Sequence, residues 1–285
     1  MTFSFTYSLV ICGNILIMVT IVFTSRLHSP MYFFLSNLSF IDICHSSVTV
    51  PKMLEGFLLE RKTISFDNCI AQLFFLHLFA CAEIFLLTIM AYDRYVAICT
   101  PLHYSTVMSM KICVQLVFAL WVGATIHSLV QTFLTIRLPY CGPNIIDSYF
   151  CDVPFVIKLA CTDTYVTGML IVSNSGTISL VCFLALVTSY MVILVSLRKQ
   201  SAEGRRKALS TCSAHFMVVA LFFGPCIFLY TRPDSSLSID KVVSVFYTAV
   251  APLLNPIIYT LRNEEVKIAM KHLRQRQVAF MKLHT

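Results

Sequence analysis

Charge is the scarcest property of this chain. Only 12% of its 285 residues are Asp, Glu, Lys or Arg, where a soluble domain carries about a quarter. Tryptophan is scarcer still, at one residue beside 23 Phe, and hydrophobic residues make up 58% of the chain. Mean hydropathy is +0.80. These proportions exclude an ordinary cytosolic protein, because the apolar bulk exceeds what a single core of this size buries. Catalytic signatures are missing as well. There is no GxSxG, HExxH, P-loop or GxGxxG, and the cysteine spacings do not make a zinc pattern. The chain reads as no enzyme.

The few charges fall in clumps, and the gaps between them carry the architecture. No charged residue occurs from Met1 to Ser25, Ile112 to Ile136, Thr164 to Leu197, Ala208 to Thr231, or Val242 to Leu261. Each gap is long enough to cross a bilayer, which takes about 20 residues at a rise of about 1.5 Å each. Two more apolar runs, Ser29 to Val50 and Asn68 to Tyr92, contain one acid apiece, Asp42 and Glu83. The expected fold is therefore an all-α integral membrane protein with seven spans, at approximately 2–24, 30–51, 68–92, 112–135, 168–196, 208–230 and 242–261. A cleaved leader fits the first run poorly, since Met1 has no basic flank and Asn14 sits near the middle of the run. The chain is expected to start almost at the membrane surface.

Lys and Arg in the connections set the orientation. With the N-terminus outside, the inner segments hold fourteen basic and four acidic residues, and the outer ones seven and eight. The formal net charge of +7 thus belongs to an oriented bundle with a cationic inner face, which points to lipid and not to nucleic acid. The stretch from Arg262 to Arg276 reads as a short amphipathic helix on the inner surface, with Val266, Ala269, Met270 and Leu273 on one face. Residues 137–163 form the long outer loop, and 262–285 the inner helix and tail. Of the 12 Cys, four lie at the outer side: Cys69, Cys141, Cys151 and Cys161. Disulfides are favoured there, with three pairings open.

Asp42 and Glu83 are the only acids within spans, and a charge there costs several kcal/mol. One way to hold them is as protonated acids bonded to neighbouring helices. The other is a polar pocket for a small hard cation such as Na⁺, completed by the mid-span amides of Asn14 and Asn255. Asp93-Arg94-Tyr95 closes the third span, where the carboxylate can lock the guanidinium. Pro252 and Pro256 flank Asn255 in the seventh, which predicts a kink whose freed carbonyls Asn255 can satisfy.

Long motifs link these positions. Pro30-Met31-Tyr32-Phe33-Phe34-Leu35-Ser36-Asn37-Leu38-Ser39, Met90 to Cys99 with Pro101-Leu102-His103-Tyr104, Lys207 to His215, and Pro252 to Asn263 together resemble the vertebrate olfactory receptors of the larger, tetrapod-type class. These are rhodopsin-like G-protein-coupled receptors, and the resemblance runs in order along essentially the whole chain. It implies disulfides Cys69 to Cys151 and Cys141 to Cys161. It also implies an ion pocket at Asp42 and Glu83, and an activation set comprising Asp93, Arg94, Tyr95, Tyr190, His215 and Tyr259. The G-protein face would hold His103, Tyr104 and Lys207. The implied partners are a small-molecule odorant, a stimulatory olfactory-type G protein that raises cAMP, and the plasma membrane of olfactory cilia. Phe222-Phe223-Gly224 departs from the family's Phe-Tyr-Gly.

The family's glycosylated outer tail is not seen, and Asn37-Leu38-Ser39 is the only sequon. A poorly trafficked, non-signalling remnant is therefore an alternative expectation. A transporter is a more distant one, since no repeat is visible.

For the ligand pocket, Leu76, His77, Ala80, Cys81 and Ile84 recur at three- and four-residue steps on one face of the third span. No acid lies among them, which disfavours amines, and the seventh span has no Lys for a retinal Schiff base. Asn174 and Ser175, Cys226, Ile227 and Tyr230, and Val245 and Thr248 resemble pocket positions on the fifth, sixth and seventh spans. The expected ligand is a small, mostly apolar volatile molecule.

Overall fold

The computed structural model describes residues 2–58, 62–142, 144–198, 201–230, 243, 245–263, 265–272 and 275. Its long helices are α1 (Thr2–Phe23), α2 (Pro30–Leu58), α3 (Phe66–Cys99), α4 (Met110–Ile136), α5 (Tyr165–Leu197), α6 (Ala202–Tyr230) and α7 (Ala251–Arg262). A last helix, α8, covers 265–272. Helices satisfy every backbone polar group internally, which is what a chain crossing lipid requires. Among the described residues, α1 to α5 are each long and apolar enough to cross a membrane, and α6 has its apolar part at Cys212–Gly224. The fold is a seven-helix membrane bundle.

Chemistry at the helix ends explains where they start and stop. Ser65 caps α3 by accepting from the Asn68 N–H at 3.3 Å, and Asp67 complements the dipole of that first turn. α3 stops before Pro101, which cannot continue it. Asn263 caps α8, its Oδ1 accepting from the N–H groups of Glu265 and Val266 at 3.0 and 3.3 Å. Val266 and Ala269 of α8 are buried against the bundle, while Lys271 is exposed. Leu273, Arg274 and Arg276 of the expected surface helix lie outside the described residues. α2 runs through Pro51 to Leu58, and α3 runs on to Cys99. Both overrun their apolar stretches because a helix can leave the bilayer without ending.

α3 is the axis of the bundle, packed against α2, α4, α5 and α6, while α7 bridges α6 and α1. α5 buries a single narrow stripe, Ile171, Cys182, Leu186, Ile193 and Leu197. Those residues recur at the helical period, and the remaining faces, with Val181, Leu184, Met191 and Leu194, are exposed to where lipid lies.

Sides are named here by the Lys and Arg bias. At the outer side, Cys69 pairs with Cys151 and Cys141 with Cys161, at Cα separations of 5.4 and 5.8 Å. Gln72 of α3 seconds the first disulfide, its Oε1 accepting from the Cys151 N–H at 2.8 Å while its Nε2 donates to the Val48 carbonyl at 2.8 Å. Tyr140 and Ala160 form a short antiparallel bridge beside the second. The Tyr140 hydroxyl donates to the Thr135 carbonyl at 2.8 Å, and burial pushes its pKa up.

Candidate functional site

Three polar constellations occur along the α3 axis. In the middle of the bundle, Asn14, Asp42, Glu83 and Asn255 are all fully buried. Asn255 Nδ2 donates to both carboxylate oxygens of Asp42, at 3.0 and 3.1 Å. Glu83 lies within electrostatic reach of Asp42, and its Oε2 is 3.3 Å from His45 Nδ1. The sequence reading missed His45. Its signal was its place one turn after Asp42 on α2, which puts it on the same face. Two carboxyl groups beside one imidazole leave at least one negative charge to be neutralised, by a proton or a cation. Glu83 Oε1, Asn255 Oδ1 and Asn14 Oδ1 have no partner among the described residues, and oxygen donors of this kind fit a hard cation.

The expectation that Asn255 caps the carbonyls freed by proline is corrected. Pro256 has no N–H, so the carbonyl of Pro252, four residues back, loses its helical partner. Asn14 supplies the replacement from α1, its Nδ2 donating to that carbonyl at 3.2 Å as well as to Val10 at 3.0 Å. Gly13 lets α1 come this near: a Cβ there would sit 3.3 Å from Pro256 Cγ. A π-helical turn, Phe246–Val250, leads into this segment.

At the inner end, Arg94 is held by its neighbour. Its Nε donates to Asp93 Oδ2 at 3.0 Å, and its Nη2 to the same oxygen. The Tyr104 hydroxyl completes the lock by donating to Asp93 Oδ1 at 2.8 Å. Burial and the Asp93 charge both raise the Tyr104 pKa, so the hydroxyl keeps its proton. Tyr190 and His215 are hydrogen-bonded through the hydroxyl and Nδ1. Beside them, Tyr259 is buried with its hydroxyl unpaired among the described residues. Asp93, Arg94, Tyr104, His215 and Tyr259 border a crevice of about 950 Å³ lined also by Glu203, Arg206, Asn263 and Glu265. His103 is exposed on the inner surface, and Tyr95 packs into the small cluster of Ile193, Leu197 and Cys212. The side chain of Lys207 lies outside the described residues.

At the outer end, Leu76 and Cys81 are buried and His77, Ala80 and Ile84 half-buried on α3. Cys81 adjoins Cys182 of α5. Asn174 of α5 lies beside His127 of α4, a residue the sequence reading did not single out. Ser175 is already engaged, accepting from Gln131 Nε2. Val245 packs against Val50 and Met53 of α2. Thr248 is buried. The side chains of Cys226, Ile227 and Tyr230 lie outside the described residues. Phe222 and Phe223 are buried, and Phe223 packs its ring 5.7 Å from that of Phe183.

An outer-end pocket face, a buried acid cluster and an arginine lock over an inner crevice, joined by one axial helix, define a seven-helix receptor of the G-protein-coupled class. The olfactory receptor family model matches residues 3–276. The chain is 89% identical over 276 residues to olfactory receptor 4E2 of Mus musculus, covering 97% of this chain and 90% of that protein. It is 83% identical to olfactory receptor 4E2 of Homo sapiens over 285 residues, covering 100% of this chain and 91% of the relative. Human olfactory receptor 4E1 is 68% identical over 267 residues, covering 94% and 85%. The chain belongs to the olfactory receptor family, which is a family of signalling receptors and not of enzymes.

Proposed function

We propose that this chain binds small volatile organic molecules within the outer half of the bundle and activates a stimulatory olfactory-type G protein, raising cAMP. The observation that carries this is the inner lock: Asp93 holds Arg94, and Tyr104 holds Asp93, at the edge of the inner crevice. Binding at the outer end favours an arrangement in which the inner end of α6 swings away from α3 and the crevice widens. A ligand that converted a 1:99 mixture of states to 99:1 would need a preference of about 10⁴-fold, ~5.5 kcal/mol. One or two hydrogen bonds supply about 0.5–1.5 kcal/mol each. Most of the preference must therefore come from apolar contact along α3, α5 and α6.

The cationic bias of the inner segments supports an N-terminus outside and a C-terminus in the cytoplasm, and membership of the olfactory receptor family supports the plasma membrane of olfactory cilia as its location. Within the bundle, Na⁺ is the proposed occupant at Asp42, Glu83 and Asn255, where unpaired buried oxygens fit it. The test of the receptor assignment is expression with surface display measured by antibody, followed by cAMP readout against a broad odorant panel. An odorant-evoked rise that Arg94→Ala abolishes at unchanged display is expected. Full display with silence across the panel would overturn it.

A further inference from the structure

A cleft of about 430 Å³ opens at the inner end of the bundle, between the turn that follows α1 and the side of α8. Its floor is apolar and closed, since Leu27 and Ala269 are buried. Phe23 and Ile268 line it too, yet they keep 69% and 50% of their surface. A bilayer covers such side chains where a helix lies at the boundary between headgroups and acyl chains. One part of the cleft is therefore suited to hydrocarbon.

The rest carries the opposite chemistry. Arg26 and His272 both line the cleft and both are exposed, and neither forms an ion pair among the described residues. Thr24 and Ser25 add hydroxyls that can donate. Glu265, Ile268, Ala269 and His272 recur at three- and four-residue steps, so one face of α8 supplies that side of the cleft. Glu265 is the only acid among the described lining residues. Its Oε2 accepts from the Tyr32 hydroxyl of α2 at 2.6 Å, which engages that carboxylate on the side of the bundle. Across 262–276 the sequence carries five Lys or Arg against two acids. The balance at this place favours an anion.

A ligand with an anionic head and apolar tails matches both halves. A free anion would engage Arg26 and leave Phe23 and Ile268 bare, and an uncharged lipid would do the reverse. We infer that this cleft is a binding site for an anionic phospholipid of the inner leaflet, with its phosphate between Arg26 and His272 and its acyl chains along Phe23 and Ile268. The volume falls within the range of about 300–1,000 Å³ typical of small-molecule sites, and anionic lipid is what a basic pocket meets at the cytoplasmic membrane surface. The site lies at the opposite end of the bundle from the odorant face and does not depend on what binds there.

The experiment uses the purified full chain in detergent, titrated with phosphatidylserine or with phosphatidylcholine of the same acyl chains, with bound lipid counted by native mass spectrometry. One phosphatidylserine should saturate at concentrations about tenfold below those that phosphatidylcholine needs. Arg26→Gln should raise its half-saturating concentration about fivefold, the weight of one basic group near an anionic surface. Lys111→Gln removes an exposed basic residue of the inner side that does not line the cleft, and should leave the curve in place. His272→Ala should weaken binding as well, and stands in if Arg26→Gln cannot be purified. Inorganic phosphate at millimolar concentration should not displace the lipid. Displacement by phosphate, equal affinity for the two lipids, equal losses in Arg26→Gln and Lys111→Gln, or a curve unmoved in both Arg26→Gln and His272→Ala would overturn the inference.

Discussion

Tyr104 carries more of the inner lock than its sequence position suggests. Its hydroxyl is the second constraint on Asp93, after Arg94, and hydrogen bonds to charged groups contribute about 1.5–3 kcal/mol. Tyr104→Phe should therefore raise ligand-free cAMP several-fold at equal display, because the closed arrangement loses a bond that the open one need not make. The pH dependence has a defined sign. The folded pKa of Tyr104 lies above its unfolded value, so its contribution is complete below the ordinary tyrosine range, about pH 10, and is lost only as pH rises past that range. Ligand-free signalling should not change through this group between mildly acid and mildly basic medium, and a pH dependence in that window that wild type shows and Tyr104→Phe lacks would contradict the assignment. At this scale the sequence was legible wherever charge is rare. Asp42, Glu83 and Arg94 stood out as isolated charges in apolar runs, whereas His45 and His127 did not, since an imidazole in a span reads as one more half-polar ring until its neighbours are known.

The join of α1 to α7 depends on a proline and an amide in different helices. Pro256 strands the Pro252 carbonyl, and Asn14 recovers it. Asn14→Ala should leave that carbonyl bare and destabilise the bundle by about 1–3 kcal/mol, read as a lower unfolding temperature of purified receptor in nanodiscs. An isosteric partner at Asn14 that still donates should recover most of the loss; an unchanged midpoint in Asn14→Ala would mean that water or lipid satisfies the carbonyl. The kink was legible from two prolines four residues apart. The identity of the rescuer was not, because it lies on a helix more than two hundred residues away. Helix existence could be read from charge gaps, but helix ends could not: charge marks where lipid stops, while α2 and α3 stop where caps and Pro101 intervene.

Across the whole molecule, the acid cluster is the point where α1, α2, α3 and α7 meet, between the outer and inner ends of the bundle. A cation held there favours whichever arrangement keeps Asp42, Glu83 and Asn255 together, so it opposes any rearrangement that parts α7 from α2. Asp42→Asn should abolish the shift of agonist dose–response curves caused by replacing external sodium with an inert organic cation. A shift of undiminished size in that variant would remove Na⁺ from the site and leave His45 as the counter-charge to Glu83. The charge bias made the cationic inner face legible from the sequence alone. The seating of the outer loop was not, since four cysteines permitted three pairings and only the folded loop brings Cys69 to Cys151 and Cys141 to Cys161.

α5 touches its neighbours along one stripe and shows the rest of its surface to lipid. This divides the helix into two regimes of constraint. Any large apolar side chain serves on the lipid face, so drift there is cheap, while Cys182, Leu186, Ile193 and Leu197 are tied to partners on other helices. Asn174 is only half-buried and sits off the lipid-facing side. A substitution at Asn174 should therefore disturb neither the membrane fit of α5 nor the packing of its buried stripe.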